Sequence, residues 1–215
     1  QLVLRSDMDF EAGKRETVLG TWDEQTAGHD VNVRLNAEVK AIEGDVGNFR
    51  IAFADGETIS AENIVLAIGT QGNPNLVRCP VDDGAVVQYT LDDPGEYVDE
   101  HIVVIGGGDA GIENALGLAA DPEQNNSVTL INRGPEFATA KGANVKALLA
   151  AGDAGRITIL TETTASHIGK GEITFDTRDG ETKMRCDRVI ARMGSAPPRA
   201  FVEACGAEVS GPDRN

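Results

Sequence analysis

The residues best placed to do chemistry here are glycines. Ile102-Val103-Val104-Ile105 runs directly into Gly106-Gly107-Gly108-Asp109-Ala110-Gly111. A GxGxxG spacing alone is a weak signal. Here it follows an apolar strand-like run and opens an Ala- and Leu-rich helical stretch. A second apolar run, Val128 to Ile131, comes about 20 residues later, as a dinucleotide-binding βαβ unit requires. Gly106 would permit the tight turn, Gly108 would let the backbone approach a pyrophosphate, and Gly111 would let helix and strand pack closely. Gly107, Asp109 and Ala110 complete the cradle. The helix N-terminus adds unpaired N–H groups and about half a positive charge.

The end of the second strand bears on which dinucleotide binds. An NAD site usually places Asp or Glu there to accept from the ribose hydroxyls. This chain has Asn132-Arg133. No carboxylate repels a 2′-phosphate, and a guanidinium pairs well with one. The cofactor is therefore expected to be NADP or NAD, with Arg133 the candidate selector. Glu113, on the first turn of the helix, has two readings: complementing the helix dipole or facing the reactive end of the cofactor. No residue is assigned as a catalytic acid or base. His29, His101 and His167 lie in unrelated contexts, and no metal-ligating cluster is visible.

These residues need elements to hold them. Ile102–Ile105, the helix from Ile112 to Ala120, Val128–Ile131, a helix over Asn144–Ala151 and a strand over Arg156–Leu160 make a βαβαβ series. That pattern predicts a parallel sheet with covering helices. Earlier in the chain a helix is predicted over Glu11–Thr26. Strands are predicted over Val31–Leu35, Val39–Ile42 and Phe49–Phe53, and a buried strand over Ile64–Ile68. The acidic stretch Asp92, Asp93, Glu96, Asp99 and Glu100 reads as a solvated linker.

The first and last thirds resemble one another. DGET occurs at 55–58 and again at 179–182. ENIVLAIG from Glu62 parallels DRVIARMG from Asp187, ending at Gly69 and Gly194, with Pro74 and Pro198 close behind. A strand–turn–strand segment is thus repeated at an offset of about 125 residues. The second copy follows a βαβαβ unit, whereas the first follows only a helix and a strand. The first unit reads as one lacking its front half, in a chain taken from the middle of a longer protein.

Composition narrows the field. Lys plus Arg is 19 and Asp plus Glu is 35, a net charge of −16. That argues against nucleic acid and against an anionic membrane surface. Cys79, Cys186 and Cys205 are an odd number with no CxxC, so neither a disulfide scaffold nor a dithiol centre is indicated. A reducing cytoplasm is the expected location, with no membrane span and no leader.

VVIGGGDAGIENAL, VLAIGTQGNP, VIARMGSAPP and the duplicated segment together resemble the pyridine nucleotide-disulfide oxidoreductases. These are two-dinucleotide-binding-domain flavoproteins, and the spacing is most similar to the thioredoxin-reductase-like branch. The resemblance implies an α/β fold. Residues 96–215 would be a Rossmann-like three-layer NAD(P)-binding domain with a β-meander. Residues 1–95 would be a partial FAD-type domain of helix and β-meander. It implies that Gly69 and Thr70 close the flavin domain, that the Gly194 segment leads back out, and that Glu113 lies near the nicotinamide. Gly134 and Ala138 stand where NADPH users of the family carry further arginines. FAD is implied for the full-length parent, with hydride passing from NAD(P)H to it. The remainder of the flavin domain would be the chain's partner, and its unpaired meander leaves room for a homodimer. Without CxxC or the flavin fingerprint, the fragment alone is expected to be inactive. The alternative reading is a non-catalytic, nucleotide-binding regulatory module.

Overall fold

The alternation in Val39–Ile42 and Phe49–Phe53 asks for a sheet covered on one face. The unbroken run Ile102–Ile105 asks for one covered on both. The computed structural model describes residues 15–29, 31–70 and 72–207 and contains both. It forms two compact units, Gln1–Val65 with Ala204–Gly206, and Leu66–Glu203 with Ala207–Asn215.

The first unit holds α1 (Arg15–Ala27), β1 (Val39–Asp45), β2 (Asn48–Phe53) and β3 (Thr58–Ala61). The strands form an antiparallel sheet in sequence order. Ile42 pairs with Ile51 across β1 and β2, and these are the buried residues of the sheet. Arg34 braces the turn after β2. It pairs with Asp55 at 2.9 Å and Glu57 at 2.8 Å, and its guanidinium lies 4.6 Å over the Phe53 ring.

The second unit contains β4 (Val87–Gln88), β5 (His101–Ile105), α2 (Asp109–Leu118), β6 (Ser127–Ile131), α3 (Gly142–Asp153) and β7 (Ile157–Leu160). A meander follows, β8 (Thr164–Gly169), β9 (Gly171–Thr177) and β10 (Gly180–Cys186). Then come β11 (Arg188–Ala191) and α4 (Arg199–Ala204), of which Arg199–Glu203 fall in this unit. The parallel sheet runs β4-β11-β5-β6-β7, and the antiparallel meander runs β10-β9-β8.

Strand alternation sorts the core into two layers. Ile102 and Val104 of β5 pack with Val128 and Leu130 of β6 against Ile112, Ala115 and Leu118 of α2 and Leu148 of α3. Val103 and Ile105 pack on the opposite side with Ile131, Val189 and the meander residues Ile168, Ile173 and Phe175. Helices, parallel sheet and meander are thus three layers, and the Rossmann-like α/β architecture expected from the sequence is present. The first unit also contains the helix and three-stranded meander expected there.

Several local expectations differ. Val31, Val33 and Leu35 form no strand and are exposed, Leu35 by 79%. Ile64–Ile68 is not a buried strand: it has no sheet partner, and Val65 is 89% exposed. Its counterpart β11 is buried because it enters the sheet between β4 and β5. An apolar run becomes a strand only where another strand offers it hydrogen bonds. The first four residues of the predicted helix, 11–14, lie outside the described residues. The acidic stretch is not a solvated linker throughout. Glu100 holds Arg188 at 2.7 and 2.9 Å, and that guanidinium stacks on Tyr97. Among the described residues, no helix is long and apolar enough to cross a membrane.

Phe175→Ala should cost about 3–5 kcal/mol, because it empties the meander-side core. Val65→Ala should stay within about 0.5 kcal/mol. Urea unfolding followed by circular dichroism reads both.

Candidate functional site

β5 delivers Gly106 to the C-terminal edge of the parallel sheet, where its backbone turns with φ +127°. A Cβ there would lie 2.3 Å from the Arg192 carbonyl oxygen. The N–H of Arg192 in turn donates to Ile105 O at 2.8 Å. A Cβ on Gly111 would lie 1.9 Å from the Gly106 carbonyl oxygen. The end of β5, the first turn of α2 and the residue after β11 therefore cross at backbone contact. Gly107 is also confined: a Cβ would meet Asn132 Oδ1 at 2.6 Å and Phe137 Cδ1 at 2.8 Å.

Gly108 has no such constraint. Its φ of −85° and ψ of 176° suit any residue. The nearest atom to its would-be Cβ is Thr139 Oγ1, at 3.8 Å. Nothing within the chain requires glycine here. Gly108 is the N-cap of α2, and no side chain caps that helix. The first-turn N–H groups, from Asp109, Ala110 and Gly111, lack intrahelical partners and carry the positive end of the helix dipole. The cradle has the room and the polarity for an anion's close approach.

Asp109 ties this turn to α3. Its Oδ1 accepts from the Lys141 N–H and from Asn144 Nδ2, both at 2.8 Å. These bonds, the Lys141 N–H first, hold the carboxyl below the ordinary carboxylate range. Lys141 is the N-cap of α3, so Asp109 caps that helix across the interface. The same Asn144 amide donates to Glu113 Oε1 at 2.9 Å, and Glu113 is exposed.

At the end of β6, Asn132 Nδ2 donates to the carbonyls of Gly134 and Glu136, both at 2.9 Å. Arg133 is exposed and forms no ion pair with the described residues.

The two repeat copies meet at the same edge of this unit. Gly69 and Gly194 both have positive φ, +58° and +78°. Thr70 accepts a hydrogen bond from Ser195 Oγ at 2.6 Å across 125 residues. Asn75 N–H donates to Gly194 O, and Asn75 Nδ2 to Met193 O at 3.0 Å. Counterparts of the duplication are thus bonded to each other. Ser195 escaped the sequence reading, although its position opposite Thr70 in the repeat was a usable signal. Asn144 and Phe137 carried none, because only folding brings them to the glycines.

Cys186 is buried, and desolvation pushes its thiol up to about 11. Burial also pushes up Cys79, which is half-buried against the meander-side core.

The profile of the family described as pyridine nucleotide-disulphide oxidoreductase matches residues 8–214. A ferredoxin–NADP reductase of Ignicoccus hospitalis is 26% identical over 159 residues, which are 73% of this chain and 51% of that protein. A bacilliredoxin reductase of Bacillus subtilis is 27% identical over 71% of this chain and 47% of its own length. The chain therefore spans about half the length of these curated relatives. Among solved structures, the bacillithiol disulfide reductase of Bacillus cereus superposes with a TM-score of 0.82 at 24% identity. That match covers 95% of this chain and 65% of the other. Thioredoxin reductase of T. acidophilum superposes at 0.74, with 18% identity, over 91% of this chain and 64% of the other. At these identities the structures establish the fold.

The Asp109 clamp predicts a pH signature. A depressed carboxyl stabilises the folded state above its unfolded pKa of about 3.9, and that contribution is lost as pH falls through the lower, folded value. The difference in Tm between wild type and Asp109→Ala should be constant near neutrality and narrow below pH about 4. Thermal melts from neutral to acid pH measure it.

Proposed function

The chain belongs to the pyridine nucleotide-disulphide oxidoreductase family, and from that premise we propose that it binds NAD(P)H at the start of α2 and presents it to a flavin. The observation that carries this reading is Gly108. It is a glycine with no steric reason inside the chain, placed where a pyrophosphate would need the backbone bare. Gly106, Gly107 and Gly111 hold the turn in shape. The N–H groups of Asp109, Ala110 and Gly111 bind the pyrophosphate at the helix N-terminus. Arg133 pairs with the 2′-phosphate of NADP, and Glu113, held by Asn144, orients the nicotinamide.

When bound, NAD(P)H supplies a hydride to the flavin. The chain's own contribution is to bind, orient and exclude water. In this reading residues 96–215 are the nicotinamide-nucleotide domain. Of residues 1–95, the first unit, up to Val65, is part of a flavin-type domain; residues 66–95 fall in the second unit, where β4 pairs with β11, and Gly69, Thr70 and Gly194 form the passage. FAD is held mainly by the rest of the whole protein, which is also the partner for the exposed run at Ile64–Ile68. The relatives named ferredoxin–NADP reductase suggest a redox protein as acceptor. The cysteines at 79, 186 and 205 are unpaired, so no dithiol relay within this chain is invoked. Free thiols suit a reducing cytoplasm, where we place the protein.

Calorimetric titration with NADPH and then NADH tests the reading. Gly108→Ala should leave the melting temperature unchanged and weaken both nucleotides about tenfold or more. Retained affinity would remove the pyrophosphate assignment. Arg133→Ala should weaken NADPH by about 10- to 150-fold, the worth of a charge-assisted contact, and leave NADH nearly unchanged. Equal losses would discard its role. Nucleotide binding without flavin reduction in the full-length protein would favour a regulatory module instead.

A further inference from the structure

Asn132 follows the last residue of β6, the place where an NAD site carries its ribose-binding acid. Both hydrogens of its side-chain amide are used within its own loop, on Gly134 O and Glu136 O. Its Oδ1 lies against Gly107, where a Cβ has no room. Its main chain is fixed on both sides as well, with its N–H donating to Leu160 O at 2.8 Å and its carbonyl accepting from Thr163 N–H at 3.1 Å. Gly134 O receives a second bond, from Glu162 N–H at 3.1 Å. Glu162 makes that bond from a left-handed backbone, φ +51°. Such a conformation persists in a non-glycine residue only where its surroundings impose it. Arg133 therefore sits between two pinned residues, while its own side chain is exposed and unpaired among the described residues.

We propose that Asn132 is the positioning residue for coenzyme choice: its amide holds the Gly134–Glu136 arch so that Arg133 faces the adenosine 2′-phosphate, and it makes no contact with the coenzyme itself. This rests on the NAD(P)H-binding reading above. The Asn132 side chain also packs on the pyrophosphate loop, because a Cβ on Gly107 would meet its Oδ1 at 2.6 Å, beside Phe137 Cδ1 at 2.8 Å. Asp at this position matches Asn in shape. It lacks the two donors and sets a carboxylate against two carbonyls, so the arch should open.

The test is calorimetric titration of the chain with NADPH and with NADH, for wild type, Asn132→Ala, Asn132→Asp, Arg133→Ala and the Asn132→Ala/Arg133→Ala double variant. Wild type should prefer NADPH by about tenfold or more. Both Asn132 variants should reduce that preference to about threefold or less, with NADH affinity within about threefold of wild type. In the double variant the loss of preference should not exceed that of Arg133→Ala alone, because the two residues act as one unit. Circular dichroism melts establish which variants are folded. Folded variants that keep the preference, or that lose both nucleotides equally, overturn the inference and leave the dinucleotide site standing. Unfolding of both Asn132 variants makes the residue purely structural and overturns it too. A wild type that binds NADPH no better than NADH also overturns it. A wild type that binds neither nucleotide overturns the NAD(P)H-binding reading, and this inference with it.

Discussion

Everything in the second unit hangs on the crossing at Gly106. The end of β5, the first turn of α2 and the residue after β11 approach until the Gly106 Cα faces the Arg192 carbonyl and the Gly106 carbonyl faces Gly111. Side chains at either glycine would force the segments apart. Parting them would tilt α2 off the sheet, expose Ile112 and Ala115, and turn the helix N-terminus away from the strand edge. The packing of the core and the aim of the helix dipole are therefore consequences of one close backbone contact. It is backbone geometry, more than any reactive side chain, that the candidate site is made from.

Around that crossing, polar side chains act as fasteners. Asp109 caps α3 across the interface, Asn144 ties Asp109 to Glu113, and Asn132 stitches the loop that carries Arg133. The net charge of −16 opposes an anionic ligand at long range. At physiological salt that field is screened beyond about 8 Å, so it does little against the contacts proposed for the helix N–H groups and the Arg133 guanidinium. The fasteners leave those donors free by meeting the acidic groups nearby from within the protein.

The duplication shows how the same local sequence has two fates. DGET forms a turn between antiparallel strands in both copies, because Asp-Gly chemistry and alternation are local. VLAIG and VIARMG diverge. The second becomes β11 between two parallel strands, and the first stays exposed. Their glycines still take left-handed backbones in both places, and Thr70 and Ser195 meet as partners. An apolar run states a demand for burial; neighbouring strands decide whether it is met.

The division between sequence and structure follows from this. Periodicity and glycine spacing by themselves determined the βαβαβ series, the repeated meander and the fingerprint, because these depend on side-chain alternation and on backbone freedom within a few residues. The family resemblance was legible for the same reason. Sequence misread Val31–Leu35 and Ile64–Ile68, since alternation and apolarity do not reveal whether a hydrogen-bonding partner exists. Only the tertiary structure separated the glycines required by internal contacts, at 106, 107 and 111, from the one at 108, where a Cβ would fit without a clash. Only it brought Asn144 to Asp109 and turned Asn132 inward onto its own loop. Those relations join residues far apart in the chain, and their distances are fixed by how the layers pack, which no local pattern encodes.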